Sequence, residues 1–203
     1  MTMMSQSLDH TLAANFAAKP VDRTLPLRML TWLLIVSVIM LFAAFTSAYI
    51  VRRSEGNWQE FEFPAGLLWN TIVIALSSVA MQIAYFAAKK DKFGTLKFTL
   101  FLTFALGIVF LAGQWFVWED LVANKIFFGG NNANPSGSFI YVLTGVHGFH
   151  LITGLVFLLI ILLSTFKFKV HAKNMLSIEL CTTYWHFLGG LWIYLYVFLT
   201  IFK

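Results

Sequence analysis

The chain is poor in charge. Of its 203 residues, 14 are Lys or Arg and nine are Asp or Glu, together 11%. A soluble domain carries about a quarter, so a water-facing surface over most of the chain is excluded. Cysteine is nearly absent. Cys181 has no second thiol with which to close a disulfide and reads as a small buried residue. The four prolines, Pro20, Pro26, Pro64 and Pro135, avoid every long apolar run, where each would remove a helical hydrogen bond. A fixed-period repeat, a low-complexity tract and a phosphate-cradling loop are missing too. "FFGGNNAN" follows no strand, so its glycines serve an irregular external turn.

What the chain has is apolar length. It is 59% hydrophobic with a mean hydropathy of +0.78. Five runs approach or exceed the roughly 20 apolar residues needed to cross a bilayer: Leu30–Val51, Leu67–Ala88, Phe98–Trp118, Phe139–Phe166 and Ser177–Phe202. The first four contain no charged residue and the fifth only Glu179. The expected fold is all-α, a polytopic bundle of five transmembrane helices over residues 30–202, after a segment at 1–29. That first segment lacks the basic start and apolar core of a secretory signal, so no cleavage is expected. Leu8, Leu12 and Phe16 alternate with polar residues and suggest a short amphipathic helix.

The net charge of +5 is topological rather than a nucleic-acid signal. Ten of the 14 basic residues precede the first span or follow the second and fourth; Arg52, Arg53, Lys125 and Lys203 lie on the other side. By the positive-inside rule the N-terminus is cytoplasmic and the C-terminus external. Tyr49, Trp58, Trp69, Trp115 and Trp118 lie near span boundaries and read as an interfacial aromatic belt.

Polar residues inside the spans are the candidate site, because they are costly in lipid and face other helices, cavities or function. Glu179, Thr182, Thr183 and His186 recur at helical spacing on one face, continued by Gly189 and Gly190. In "YVLTGVHGFHLITG", Thr144, His147, Gly148 and His150 line another. At 1.5 Å per residue, His150 lies about 17 Å from one boundary and His186 about 14 Å from the other. Both are thus near the middle of a core roughly 30 Å thick, where they are expected to share a polar seam between spans four and five. For Asn70, Ser77, Ser78, Gln82 and Gln114, helix–helix hydrogen bonds are expected. The histidines admit haem ligation, proton or ion relay, or lipid anchoring and helix pinning. Ligands opposed across a porphyrin are too few for the first to be favoured.

At these same residues the sequence resembles subunit III of the haem–copper terminal oxidases, in the short five-helix form. That family carries "TG-HG-H---G" on one helix and an acid seven residues before the histidine of "YWHF" on the next. Here these are Thr144, Gly145, His147, Gly148, His150 and Gly154, then Glu179 and Tyr184, Trp185, His186 and Phe187. "MLFAAFTSAYI", "LLWNT" and "GQWFVWEDL" (with Gln114 and Glu119) echo the family more weakly. Two family acids are replaced, one by Val38 and one by Gly189, so roles resting on those acids do not transfer. The resemblance implies a non-catalytic subunit of a proton-pumping cytochrome c oxidase in a bacterial inner membrane. It implies direct packing on subunit I, with subunit II in the complex and phospholipid held in a helix cleft. Haem and copper would sit on the partner subunits and no cofactor or metal on this chain. His147, His150, Glu179, His186, Gln114 and Trp185 are then structural or lipid-cleft residues, none catalytic. The alternatives are subunit III of a quinol oxidase and a haem-binding membrane cytochrome b anchor.

Overall fold

A computed structural model of the chain describes residues 24–56, 58–59, 64–130, 134–166 and 175–202. The suggested amphipathic segment around Leu8, Leu12 and Phe16 lies outside the described residues. Five helices appear: α1 Thr24–Ser54, α2 Gly66–Lys89, α3 Phe93–Ala123, α4 Pro135–Phe166 and α5 Leu176–Ile201. All five are long and apolar enough to cross a membrane. Helix is the form that closes every backbone hydrogen bond within one segment, as hydrocarbon surroundings demand. Several helices outrun the apolar runs that predict them. α1 begins at Thr24 rather than Leu30, and α3 continues past Trp118 to Ala123.

Two helix ends are closed without glycine. At the end of α2 the Lys92 N–H donates to Ala87 and the Asp91 N–H to Ala88; at the end of α3 the Ile126 N–H donates to Leu121 and the Lys125 N–H to Val122. Asp91 (φ 49°) and Lys125 (φ 61°) take the left-handed position that such paired caps usually give to glycine.

α2, α3, α4 and α5 form a closed four-helix ring, each packed on the two beside it. α1 stands outside the ring against α4 and α5, and among the described residues it approaches neither α2 nor α3. A groove therefore runs between α1 and α2, with the outer face of α5 as its floor. Elsewhere the outward side chains are large and apolar, such as Leu33, Met40, Leu76, Phe101, Phe116, Ile160 and Ile201, which is the surface lipid requires. Buried threonines keep their hydroxyls satisfied within their own helices: Thr103, Thr144, Thr165 and Thr182 each donate to the carbonyl four residues earlier.

The aromatics near the span boundaries are not all outward. Trp69 and Trp115 are exposed. Tyr49 is instead 1% exposed, its ring 4.7 Å from Trp58 and 5.2 Å from Phe198. Its hydroxyl donates to the Phe202 carbonyl at 2.9 Å, so it ties α1 to the end of α5.

Candidate functional site: polar contacts centred on the fifth helix

Two tryptophans of α5 fill the middle of the ring in successive layers. Trp185, 1% exposed, donates its indole N–H to Ser77 Oγ of α2 at 3.1 Å. The ring fits because its neighbours are glycines. A Cβ on Gly107 of α3 would lie 2.9 Å from the indole and 2.8 Å from Leu155; one on Gly154 of α4 would lie 2.9 Å from Leu188 and 3.5 Å from the same indole. Small residues at these positions let the helices close around one large aromatic. Ser77 in turn is 3.3 Å from the Thr103 carbonyl of α3.

Two turns further along α5, Trp192 does the same in the next layer. Its N–H donates to Thr71 Oγ1 of α2 at 3.0 Å, and its ring lies 4.8 Å from Phe110 of α3 and 5.1 Å from His147 of α4. His147 is fully buried; Phe42 of α1 closes its remaining side with ring centres 6.4 Å apart. In the same region the Asn70 amide of α2 donates to Gln114 Oε1 of α3 at 3.3 Å. Gly113 makes room for Asn70, because any Cβ there would collide with the Asn70 side chain.

The outward face of α5 carries a second series of contacts. Glu179 accepts from Arg28 of α1 at 2.9 Å, with both side chains about half exposed. A pair so exposed is worth at most about 1 kcal/mol in water; its role is to tie α1 to α5. His186 Nε2 lies 2.9 Å from Gln82 Oε1 of α2. The tautomer carrying hydrogen on Nε2 donates there and leaves the Nδ1 lone pair outward. Tyr194 donates to Thr46 of α1 at 3.1 Å. Gly190, between His186 and Tyr194, is exposed, and a Cβ on it would meet nothing within 4 Å.

The expected seam between spans four and five is thus not one feature. His186 faces α2, Glu179 faces α1, and His147 is enclosed by rings from α1, α3 and α5. His150 Nδ1 lies 2.8 Å from the Val146 carbonyl of its own helix, so that nitrogen donates. Two helices present only one contact line to each other, and α4 and α5 use theirs for Gly154 against Leu188 and Trp185 and for Thr153 with Tyr184 at 3.0 Å. Of the five residues expected to bond between helices, Asn70, Ser77, Gln82 and Gln114 do so; among the described residues Ser78 does not, and its hydroxyl stands against Gly189. Cys181 is buried at 1% exposure, as a small core residue should be. Gly189, where the resemblance places an aspartate, packs against α2: a Cβ there would lie 2.8 Å from Ser78 Oγ. Val38, the other replaced acid, is 2% exposed.

Trp192, Thr71 and Gly107 escape the sequence reading. Trp192 follows Trp185 by seven residues, two turns on one face, and that spacing is the signal that marks it. Among the described residues no group of three or more His, Cys, Asp or Glu is placed to hold a metal ion.

Comparison with known proteins agrees with this architecture. Residues 9–203 match the family model for cytochrome c oxidase subunit III. A probable cytochrome c oxidase subunit 3 of Nocardia farcinica is 33% identical over 79% of this chain and 80% of its own length. The subunit 3 of Corynebacterium diphtheriae is 30% identical over 78% of this chain and 80% of its own length. That of Mus musculus is also 30% identical, over 81% of this chain and 65% of its own length. With nearly the whole sequence matched and five helices suited to a membrane, the chain belongs to the cytochrome c oxidase subunit III family.

Proposed function

We propose that this chain is a non-catalytic subunit of a proton-pumping cytochrome c oxidase of a bacterial inner membrane, docked on the catalytic subunit through the groove between α1 and α2. One observation carries the reading. His186 and Gln82 are only half buried, yet they lie deep in the bundle, His186 about 15 Å along α5 from Leu176 by helical rise. At that depth lipid offers hydrocarbon, which satisfies neither the outward imidazole nitrogen nor the carboxamide N–H groups of Gln82. A protein helix bearing a hydroxyl or amide does, and the flush Gly190 lets its backbone come close. Phospholipid fills the remaining length of the groove. Haem and copper reside on the partner subunits, and cytochrome c rather than quinol is the electron donor.

The test is made on the purified complex. Gly190→Leu adds bulk where this chain has open space, so its own fold tolerates it. It is expected to lower retention of the subunit in mild detergent several-fold. His186→Leu is expected to act in the same direction, with normal initial oxygen reduction, less bound phospholipid and faster loss of activity during turnover. Full retention of the Gly190→Leu subunit would remove the groove as the docking face. A wild-type chain that fails to co-purify with an oxidase would remove the functional reading itself. A hundredfold drop in initial turnover for His186→Leu, with assembly intact, would put the histidine in the chemistry.

Orientation follows from charge. With ten basic residues on one side and four on the other, we place the N-terminus in the cytoplasm and the C-terminus outside. A reporter active only in the cytoplasm should work when fused at Lys92, and one active only outside should be silent there. The opposite pattern would invert the topology.

A further inference from the structure

The core carries three orphaned nitrogens. Gln114 Nε2 and both ring nitrogens of His147 are buried without a hydrogen-bond partner among the described residues. Every other polar contact around them is accounted for: Gln114 Oε1 by Asn70, Trp192 by Thr71, Trp118 by Thr144. Unmade hydrogen bonds in an apolar interior are costly, at about 1–3 kcal/mol per group, and two such residues in one small core call for a common explanation.

The packing puts them at one level. α3 and α4 run antiparallel, and their facing pairs are Gly107 with Leu155, Leu111 with Gly148, and Trp118 with Gly145. Reading between the last two pairs, Gln114 stands opposite His147. The bracketing side chains agree: Phe110, one turn before Gln114, packs 6.0 Å from His147, and Trp118, one turn after, bonds Thr144, nearly one turn before His147. His147 lies about 18 Å along α4 from Pro135 by helical rise.

The chemistry narrows the occupant. The amide of Gln114 has its carbonyl engaged and N–H to give, while the imidazole has one N–H and one lone pair. A ligand between them must accept from the amide and either donate to the bare nitrogen of the ring or accept from its N–H. Among the described residues, the side chains that bond Gln114 or pack their rings on His147 (Asn70, Phe42, Phe110 and Trp192) carry no charge, so neither an anion nor a cation meets a counter-charge there. A neutral molecule with both a donor and an acceptor, small enough for a closed helix interface, is water. Buried waters ordinarily make two to four such bonds. We propose that Gln114 and His147 bind one internal water molecule between α3 and α4, its oxygen accepting from Gln114 Nε2 and one of its hydrogens directed at the lone-pair nitrogen of His147. This joins the helix carrying the "GQWFVWEDL" stretch to the helix carrying the two histidines through a hydration site in the bundle core. It does not depend on which complex the chain belongs to.

The experiment is an electron cryo-microscopy map of the intact complex at a resolution that shows ordered water. The expected result is a solvent peak about 2.7–3.2 Å from both Gln114 Nε2 and one nitrogen of His147. A direct hydrogen bond between the two side chains, or no peak in a map that shows other buried waters, overturns the proposal. His147→Phe, of similar volume, should lose the peak while the complex still assembles. Should that variant fail to assemble, Gln114→Met, which keeps the length and removes the amide, should lose it. A peak of unchanged occupancy in either variant also overturns the proposal.

Discussion

Trp185→Ala is expected to cost about 3–5 kcal/mol of subunit stability, the range for truncating a large buried aromatic. Loss of water-to-oil transfer is the smaller part here, because lipid is as apolar as the core. What is lost is contact. The indole lies against Gly107, Gly154 and Ser77, and so touches all three other helices of the ring. The two glycines have no side chains to collapse into the space. The cavity therefore persists, and its lining loses its dispersion partners outright. Trp185→Phe separates the terms: it keeps much of the packing, abandons the bond to Ser77, and should cost about 0.6–2 kcal/mol for that bond plus a smaller void. Unfolding of the purified chain in mixed micelles, followed by tryptophan fluorescence and circular dichroism, measures both. An alanine variant within 1 kcal/mol of wild type would show that α5 is not seated as described.

Gly189→Asp, which puts the family's acid where this chain has none, is expected to be nearly as damaging. An aspartate at a helix centre in the membrane costs about 2.5–3.5 kcal/mol by insertion, and among the described residues the nearest side chains, Ser78 and Ile74, carry no positive charge. Its Cβ would stand 2.8 Å from Ser78 Oγ and 3.9 Å from Ile74. The serine can rotate aside, so the steric share is modest and the buried carboxylate dominates. Gly189→Ala measures the steric share alone, and pairing it with Ser78→Gly should recover most of that loss. If Gly189→Asp proves as stable as wild type, a hydrogen-bonding route for the acid exists between α2 and α5, and the substitution of this family position is neutral rather than structural.

These two positions show how the chain divides its information. Helix number and class were legible because hydrocarbon leaves the backbone one local solution, and 20-odd apolar residues announce it without reference to any neighbour. The role of Asn70, Ser77, Gln82 and Gln114 as links between helices was legible for the same reason: a polar group in lipid needs a partner, whichever helix supplies it. Glu179 found a cation, Arg28, as an acid near a span end should.

Which helix supplies each partner was not legible. Three-residue spacing put Thr144 and His147 on one face of α4, and four-residue spacing put Glu179 and Thr183 on one face of α5. Spacing within a helix says nothing of what stands opposite. That is fixed by how far each helix is rotated and which neighbours it touches, and these follow from where small residues permit close approach. Gly107, Gly113, Gly154 and Gly189 set the closures within the ring, where His186 meets Gln82 rather than His150, while Tyr49 is seated among Trp58, Phe139 and Phe198. The sequence by itself determined that five helices are long and apolar enough to cross a membrane and that their polar residues must be paired. Only the tertiary structure decided the pairs, the closed ring with α1 outside it, and the groove that results, because each depends on contacts between residues up to 153 positions apart.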